Sequence, residues 1–429
     1  MVLTAALSVF VASTAGLFLL VEPAVSWYFQ LAWWSYVVAV DALNRRLAGR
    51  SLIRDSTRRF AWLAGGSVAW WTLFEAINLR LGNWYYVMDP AQRWVRWTGG
   101  VVAFATVLPA IVGTVELLEN LGWPRTARVP RLRWGPARDA AFVALGAASL
   151  LLPLAWPDHF FPLTWGSFAF LLAPWNRRHA PRSFLRDLER GEAGPLCRTL
   201  LAGLACGVLW EAWNYWARTK WIYTVPGLER LKLFEMPLLG FLGFPAFAVE
   251  CLVVIRFVQA LASRLPAARV RAVGAAVVAS AAAATAIVFR AADEVSVESV
   301  YVPVAELELL PAEARERLPA AGLESPEELL RALATGEGLR SWSARTQIAP
   351  EALERVRSRV ELVMHRGLGQ GRALQLSRLG VAGLADLAAW DARSLAAALR
   401  AQGTTPRDRF LERRARVWLQ GLRPMPDSR

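Results

Sequence analysis

Lysine is almost missing from this chain: of 49 basic residues, only Lys220 and Lys232 are lysines, and the rest are arginines. We read that bias as a GC-rich coding sequence and draw no function from it. Cysteine is scarce too. Cys197, Cys206 and Cys251 lie in or beside apolar segments and form no Cys-x-x-Cys pair, which argues against a disulfide framework and a zinc site. The three histidines, His159, His179 and His365, are far apart and lack the spacing of metal ligands. The sequence therefore implies no metal and no cofactor. Charged residues make up only 20%, below the roughly 25% usual for soluble domains, which suits a membrane protein carrying a soluble portion. The N-terminus has no charged leader before its apolar stretch, so it reads as a retained first span and not as a cleaved signal peptide.

What the chain has in quantity is apolar sequence. It is 55% hydrophobic, with 21 tryptophans in 429 residues. Nine segments approach the roughly 20 apolar residues a spanning helix needs: 3–22, 26–43, 60–79, 98–118, 139–156, 159–175, 196–216, 237–260 and 271–289. Nineteen arginines fall in the stretches 44–59, 121–138, 176–194 and 263–271, while the alternate loops carry seven basic residues. By the positive-inside rule the arginine-rich side is cytoplasmic. The expectation is a multi-pass protein of a bacterial inner membrane. Its N-terminus lies in the cytoplasm and its C-terminal region outside. Of the net charge of +14, all but one unit lies before residue 291, which suits contact with membrane lipid better than a nucleic-acid surface.

The apolar part is written twice. Phe29–Ser35 resembles 161–167, Asn44-Arg45-Arg46 matches Asn176-Arg177-Arg178, Arg50-Ser51 matches Arg182-Ser183, and Arg54-Asp55 matches Arg186-Asp187, all at an offset of 132. Glu75-x-x-Asn78 then matches Glu211-x-x-Asn214, and Pro109 matches Pro245, at an offset of 136. The fold class that follows is all-α: two parallel four-helix repeats (1–122 and 123–262), a ninth span (263–290), a linker (291–304) and a soluble helical domain (305–429). Parallel repeats commonly place a site where they meet.

The Glu-x-x-Asn pair marks that candidate site. On a helix, residues three apart share a face, and a carboxylate inside a membrane is costly unless it is used. Glu75 with Asn78, and Glu211 with Asn214, suit a proton, a cation or a polar head group. The plainer alternative is interhelical hydrogen bonding. Downstream, Glu235-Met236-Pro237 leads through Gly240, Gly243 and Pro245 to Glu250. Pro and Gly there loosen a helix start and free backbone carbonyls. Candidate acids are thus Glu211, Glu235, Glu250 and Glu75. Candidate binding residues are Asn78, Asn214, Trp210, Trp221 and Tyr223. Trp84, Tyr85, Tyr86, Trp94, Trp97, Trp216, Trp221 and Tyr223 read as an interfacial aromatic belt.

The order Trp-acid, Trp-x-Tyr, then a Pro-Leu segment beside glutamate is similar to the bacterial and fungal integral-membrane lycopene cyclase domain. That family cyclises carotenoid ends by acid chemistry on membrane glutamates. Its Pro-Leu-Glu-Glu run is absent here, where Glu235-Met236-Pro237-Leu238-Leu239 puts the acid before the proline. The resemblance implies a lipophilic, isoprenoid-like substrate.

In the C-terminal region, Gly367-Leu368-Gly369-Gln370-Gly371-Arg372 leads into Leu379-Gly380-Val381, and a degenerate copy precedes it around Ala321-Gly322-Leu323. This resembles a tandem helix-hairpin-helix module of the DUF4332 type. Such turns hold phosphate on backbone N–H groups, and Arg366 and Arg372 flank this one. Residues 291–361, however, carry 14 acidic and 8 basic residues, which disfavours nucleic acid. A protein partner or self-association is the expected role, and the basic stretch Arg407 to Arg416 suits lipid head groups or solvent. The leading function is binding or conversion of a lipophilic or small substrate at the Glu/Asn site. The alternatives are a membrane scaffold whose C-terminal domain recruits a partner, and a transporter. Sequence alone leaves enzyme and non-enzyme readings open.

Overall fold

The computed structural model describes residues 1–124, 127–225 and 231–422. Arg125 of the second arginine-rich loop and residues 423–429 of the C-terminal region lie outside the described residues. The chain divides into two compact units: Met1–Leu81, Trp97–Ala217 and Pro226–Arg290 form the first, and Gly82–Arg96, Arg218–Val225 and Ala291–Arg429 the second.

Helices build the first unit: α1 (Val2–Phe18), α2 (Ala24–Ala48), α3 (Thr57–Leu81), α4 (Arg93–Phe104), α5 (Val107–Asn120), α6 (Pro136–Ala155), α7 (Pro157–Phe160), α8 (Ser167–His179), α9 (Phe184–Glu189), α10 (Gly194–Trp216), α11 (Gly243–Ala262) and α12 (Ala267–Val295). Five stretches are long and apolar enough to cross a membrane: Arg93–Asn120, Pro136–Ala155, Gly194–Trp216, Leu238–Ala262 and Ala267–Val295. The sixth apolar segment of the sequence is not one continuous helix. A 3-10 turn (Phe161–Thr164) and Gly166 at φ +102° precede α8, whose 13 residues reach only about 20 Å at 1.5 Å per residue.

The fourth segment is also broken, between α4 and α5. Groups released at that break are met by one side chain of α3. Ser67 Oγ donates to the Phe104 carbonyl (2.5 Å) and accepts from the Leu108 N–H (3.0 Å). A neighbouring side chain thus supplies the hydrogen bonds that an interrupted helix leaves unmade in an apolar bundle.

Helix neighbours follow one pattern in both halves. α1 packs on α2, α2 on α5 and α3 on α5; correspondingly α6 packs on α8, α8 on α11 and α10 on α11. The matched asparagines do matched work. Asn44 of α2 donates to the Gly113 carbonyl of α5 (3.0 Å), and Asn176 of α8 donates to the Val253 carbonyl of α11 (2.8 Å). Each ties the second helix of its half to the last.

The second unit is helical but not purely so. β1 (Trp84–Val87) pairs antiparallel with β2 (Lys220–Tyr223), Trp84 opposite Tyr223 and Val87 opposite Lys220. Tyr86 and Asp89 form parallel bridges to Val297 and Val300. The stretch after α12, read from sequence as a linker, is therefore a third extended segment of this layer. Trp84-Tyr85-Tyr86-Val87 and Lys220-Trp221-Ile222-Tyr223 are rich in aromatic and β-branched residues, which suit a pleated, half-buried surface. Trp84, Tyr85, Trp221 and Tyr223 are buried, whereas Trp94 and Trp216 are exposed.

Around this layer fold α13 (Ala312–Ala320), α14 (Pro326–Ala332), α15 (Gly336–Thr346), α16 (Pro350–Met364), α17 (Gly369–Ser377), α18 (Leu384–Ala388), α19 (Ala392–Ala401) and α20 (Leu411–Trp418). Their apolar faces share one core that includes Leu318, Leu329, Leu353, Val360, Leu376, Leu395 and Trp418. Ser325 starts α14 with a capping box: it accepts from the Glu328 N–H (3.1 Å), and the Glu328 carboxylate accepts from the Ser325 N–H (3.0 Å).

Candidate functional site

Four polar residues of the duplicated motif are buried in the first unit: Glu75 and Asn78 on α3, Glu211 and Asn214 on α10. Tryptophans join the two copies. Trp71 Nε1 donates to Glu75 Oε1 (3.0 Å), and its ring lies 4.9 Å, centroid to centroid, from that of Trp210, the residue before Glu211.

The surrounding ring contacts are reciprocal. Trp33 of α2 meets Trp210 at 5.7 Å; Trp165, its counterpart at an offset of 132, stacks on Phe74, the residue before Glu75, at 5.2 Å and 6°. In each half the tryptophan of the second-helix region thus touches the other half's motif, one residue before the acid. Phe29 and Trp213 complete the first side, at 5.7 Å from Trp210 and 4.8 Å from Trp33 respectively. Phe247 packs on Phe74 and Trp165 on the second. Edge-on and offset ring pairs of this kind add roughly 0.5–1.5 kcal/mol each beyond area burial.

The remaining acids are placed differently. Glu235 is buried in the turn between two short strands, Lys232–Leu233 and Met236–Pro237. Phe234, before it, meets Tyr215, which follows Asn214, at 5.7 Å. The loop carrying Glu235 is therefore held at the end of α10. Glu250 of α11 works as a cap. Its carboxylate accepts from the Phe168 N–H (2.7 Å), the Gly166 N–H (3.1 Å) and Ser167 Oγ (3.4 Å). It thereby satisfies the start of α8 and meets the positive end of the helix dipole. Trp221 and Tyr223, grouped with the Glu/Asn motif by sequence, belong to β2 of the second unit.

In the second unit the hairpin turn between α16 and α17 is filled by protein. Gly367 and Gly369 have φ near +70°, and a Cβ on them would lie 2.2 Å from Val87 Cβ and 2.3 Å from Ser299 Cβ. Glycine is needed at both for conformation and for room. Tyr85 Oη donates to the Arg366 carbonyl (3.4 Å) on the same turn. Gly371 is open, with nothing within 4 Å of a Cβ there.

Arg372, expected beside that turn, points inward and anchors an ion-pair network. It pairs with Glu298 (2.5 Å) and Asp408 (2.5 Å), Arg414 binds the other Glu298 oxygen, and the side chains of Arg372, Glu298 and Arg414 are 1%, 0% and 2% exposed. Arg407 donates to the Glu298 carbonyl (2.9 Å). Burial works against the Glu298 charge, but the guanidiniums of Arg414, Arg372 and Arg407 outweigh it and hold the carboxyl below the usual glutamate range. Asp408 is likewise held low, against burial, by the Arg372 hydrogen bond and the Thr405 N–H. Sequence reasoning missed Glu298, Asp408 and Arg414. It had one usable signal: Leu368, Arg372 and Leu376 fall four apart, so the arginine sits in the apolar stripe of its helix.

Among the described residues no group of three or more His, Cys, Asp or Glu side chains is placed to hold a metal ion. No curated protein and no solved structure matches the chain. Residues 309–419 match the family model described as "Domain of unknown function (DUF4332)", so the C-terminal part of the chain carries a DUF4332 domain.

Proposed function

We propose that the first unit is a membrane-embedded pair of four-helix repeats that binds or converts a lipophilic or small substrate where the two Glu-x-x-Asn motifs meet. The observation that carries this reading is the reciprocal packing of Trp33 on Trp210 and Trp165 on Phe74 around four buried polar residues. Repeats related in this way put equivalent groups on both sides of one locus. Aromatic walls suit a flat or polyene body, and the carboxylates and amides suit its polar end or a proton to be moved. Glu75, Glu211 and Glu235 are the acids of the proposed site. Glu250 positions α8 instead.

The test is an organic extract of the purified full-length protein, read by mass spectrometry. The wild type is expected to carry a lipophilic compound that Glu211→Gln loses while keeping its melting temperature. Equal recovery from both would remove Glu211 from binding. No enriched compound in either would favour the scaffold reading. In that second reading the α16–turn–α17 hairpin is a helix-hairpin-helix whose phosphate-facing surface is covered by Val87 and Ser299. That covering favours a protein partner over nucleic acid.

The nine-span arrangement gains support from parity. Gly82–Arg96 follows α3, Arg218–Val225 follows α10, and both belong to one compact unit with residues 291–429. In this reading all three segments lie on one side of a bilayer, as nine spans with arginine-rich loops inside require. We expect a C-terminal alkaline-phosphatase fusion to be active and a fluorescent fusion that needs the cytoplasm to be dark. The opposite pair of results would put the domain in the cytoplasm.

A further inference from the structure

A cleft lies away from the duplicated motif, between the start of α3 and the first half of α12. Arg58 and Trp62 face Arg271, Ala275, Val278 and Ala279 across a space of about 440 Å³. The helices touch at its edge, where the Trp62 ring lies 3.0 Å from the position of a Cβ on Gly274. Val273, Val277 and Val278 of α12 are exposed along this stretch. Among the described residues, neither Arg58 nor Arg271 has a carboxylate within ion-pair distance. Both belong to arginine-rich stretches that the sequence puts on the same side.

Two cations without counter-ions above apolar walls narrow the choice of occupant. A soluble anion would meet the arginines and leave the walls wet. The apolar helix of a second copy would cover the walls and bury two uncompensated guanidiniums, which is costly. A molecule with a phosphodiester at one end and hydrocarbon at the other satisfies both parts. We infer that this cleft binds one anionic phospholipid, its phosphate between Arg58 and Arg271 and an acyl chain along Ala275 and Ala279. The inference rests on the reading that the first unit lies in a bilayer. Whether the protein needs detergent for extraction tests that reading separately.

The experiment is native mass spectrometry of the full-length protein in detergent, titrated with phosphatidylglycerol or phosphatidylcholine. The pair Arg58→Gln with Arg271→Gln is compared with Arg54→Gln plus Arg269→Gln, which removes equal charge from the same stretches. We expect the cleft pair to weaken phosphatidylglycerol binding about thirtyfold, with little change in the control pair and none for phosphatidylcholine. Ala279→Trp, which fills the apolar wall and keeps both arginines, should also weaken phosphatidylglycerol binding. Equal loss in both arginine pairs would reduce the effect to general surface charge. Displacement of the lipid by inorganic phosphate would make this a free-anion site, and a dimer that the cleft pair dissociates would make it an interface. Each of these outcomes overturns the lipid assignment.

Discussion

Glu298→Ala should destabilise the second unit by about 3–5 kcal/mol, the cost of leaving buried guanidiniums without their counter-ion. Arg372 and Arg414 both bind that carboxylate and are themselves buried. Hydrogen exchange of the full-length protein in detergent reads the change directly: amides of α17 and α20, which carry the two arginines, should lose protection together. Arg416→Ala is the contrast, because its pair with Glu412 is solvent-exposed and should be worth less than about 1 kcal/mol. Acid should mimic the Glu298 variant. Glu298 and Asp408 both titrate lower in the folded state than in the unfolded one. Their contribution is therefore complete above the ordinary carboxylate range and is lost as the pH falls through the lowered folded values. Unchanged protection in Glu298→Ala, or greater stability at pH 3 than at pH 6, would show that the network is not holding the unit together.

The hairpin turn supplies the second large effect. Gly367→Ala puts a methyl group 2.2 Å from Val87 Cβ at a positive φ, and Gly369→Ala does the same against Ser299. Left-handed backbone alone costs an alanine roughly 1–2 kcal/mol, and overpacking adds about 1–3 kcal/mol. Each variant should therefore lower stability by about 2–5 kcal/mol. Two positions along, Gly371→Ala meets open space on a helix and should gain up to about 1 kcal/mol. Thermal unfolding of the three variants separates these signs. A neutral Gly367→Ala would mean that the β1 contact with the turn is not formed.

Much of the helical layout was legible in the sequence, because apolar runs bounded by arginines are a local signal. The Glu-x-x-Asn copies could be found for the same reason, and so could the Asn44 and Asn176 pair that clips each half together. The sixth segment shows the limit of hydropathy. Phe161-Pro162-Leu163-Thr164 is apolar enough to count, yet Pro162 and Gly166 bend the chain, and α8 begins only at Ser167. β1 and β2 stayed hidden because neither strand's partner is near it in sequence. Trp84-Tyr85-Tyr86 read alone looks like an interfacial belt, and only pairing with Lys220–Tyr223 makes it a strand. Glu298 was invisible for a similar reason: charge counts report how many acids a stretch holds, not that one of them is enclosed by arginines 74 and 116 residues further on. Glu250 had the look of a membrane acid with a task. Its task, capping α8, appears only once α8 and α11 are neighbours.

The way the second unit is assembled has a consequence for biosynthesis. Its first strand ends at residue 87, its second at residue 223, and the arginine that closes the ion-pair network is residue 414. Contacts this distant in sequence carry a high loop-closure cost and form slowly. β1 must wait, edge exposed, until β2 has been made, which is the interval when an open strand is prone to wrong pairing. A fragment holding residues 291–429 alone would lack β1 and leave the glycine turn at Gly367 uncovered. The DUF4332 domain of this chain is thus completed by pieces made well before it.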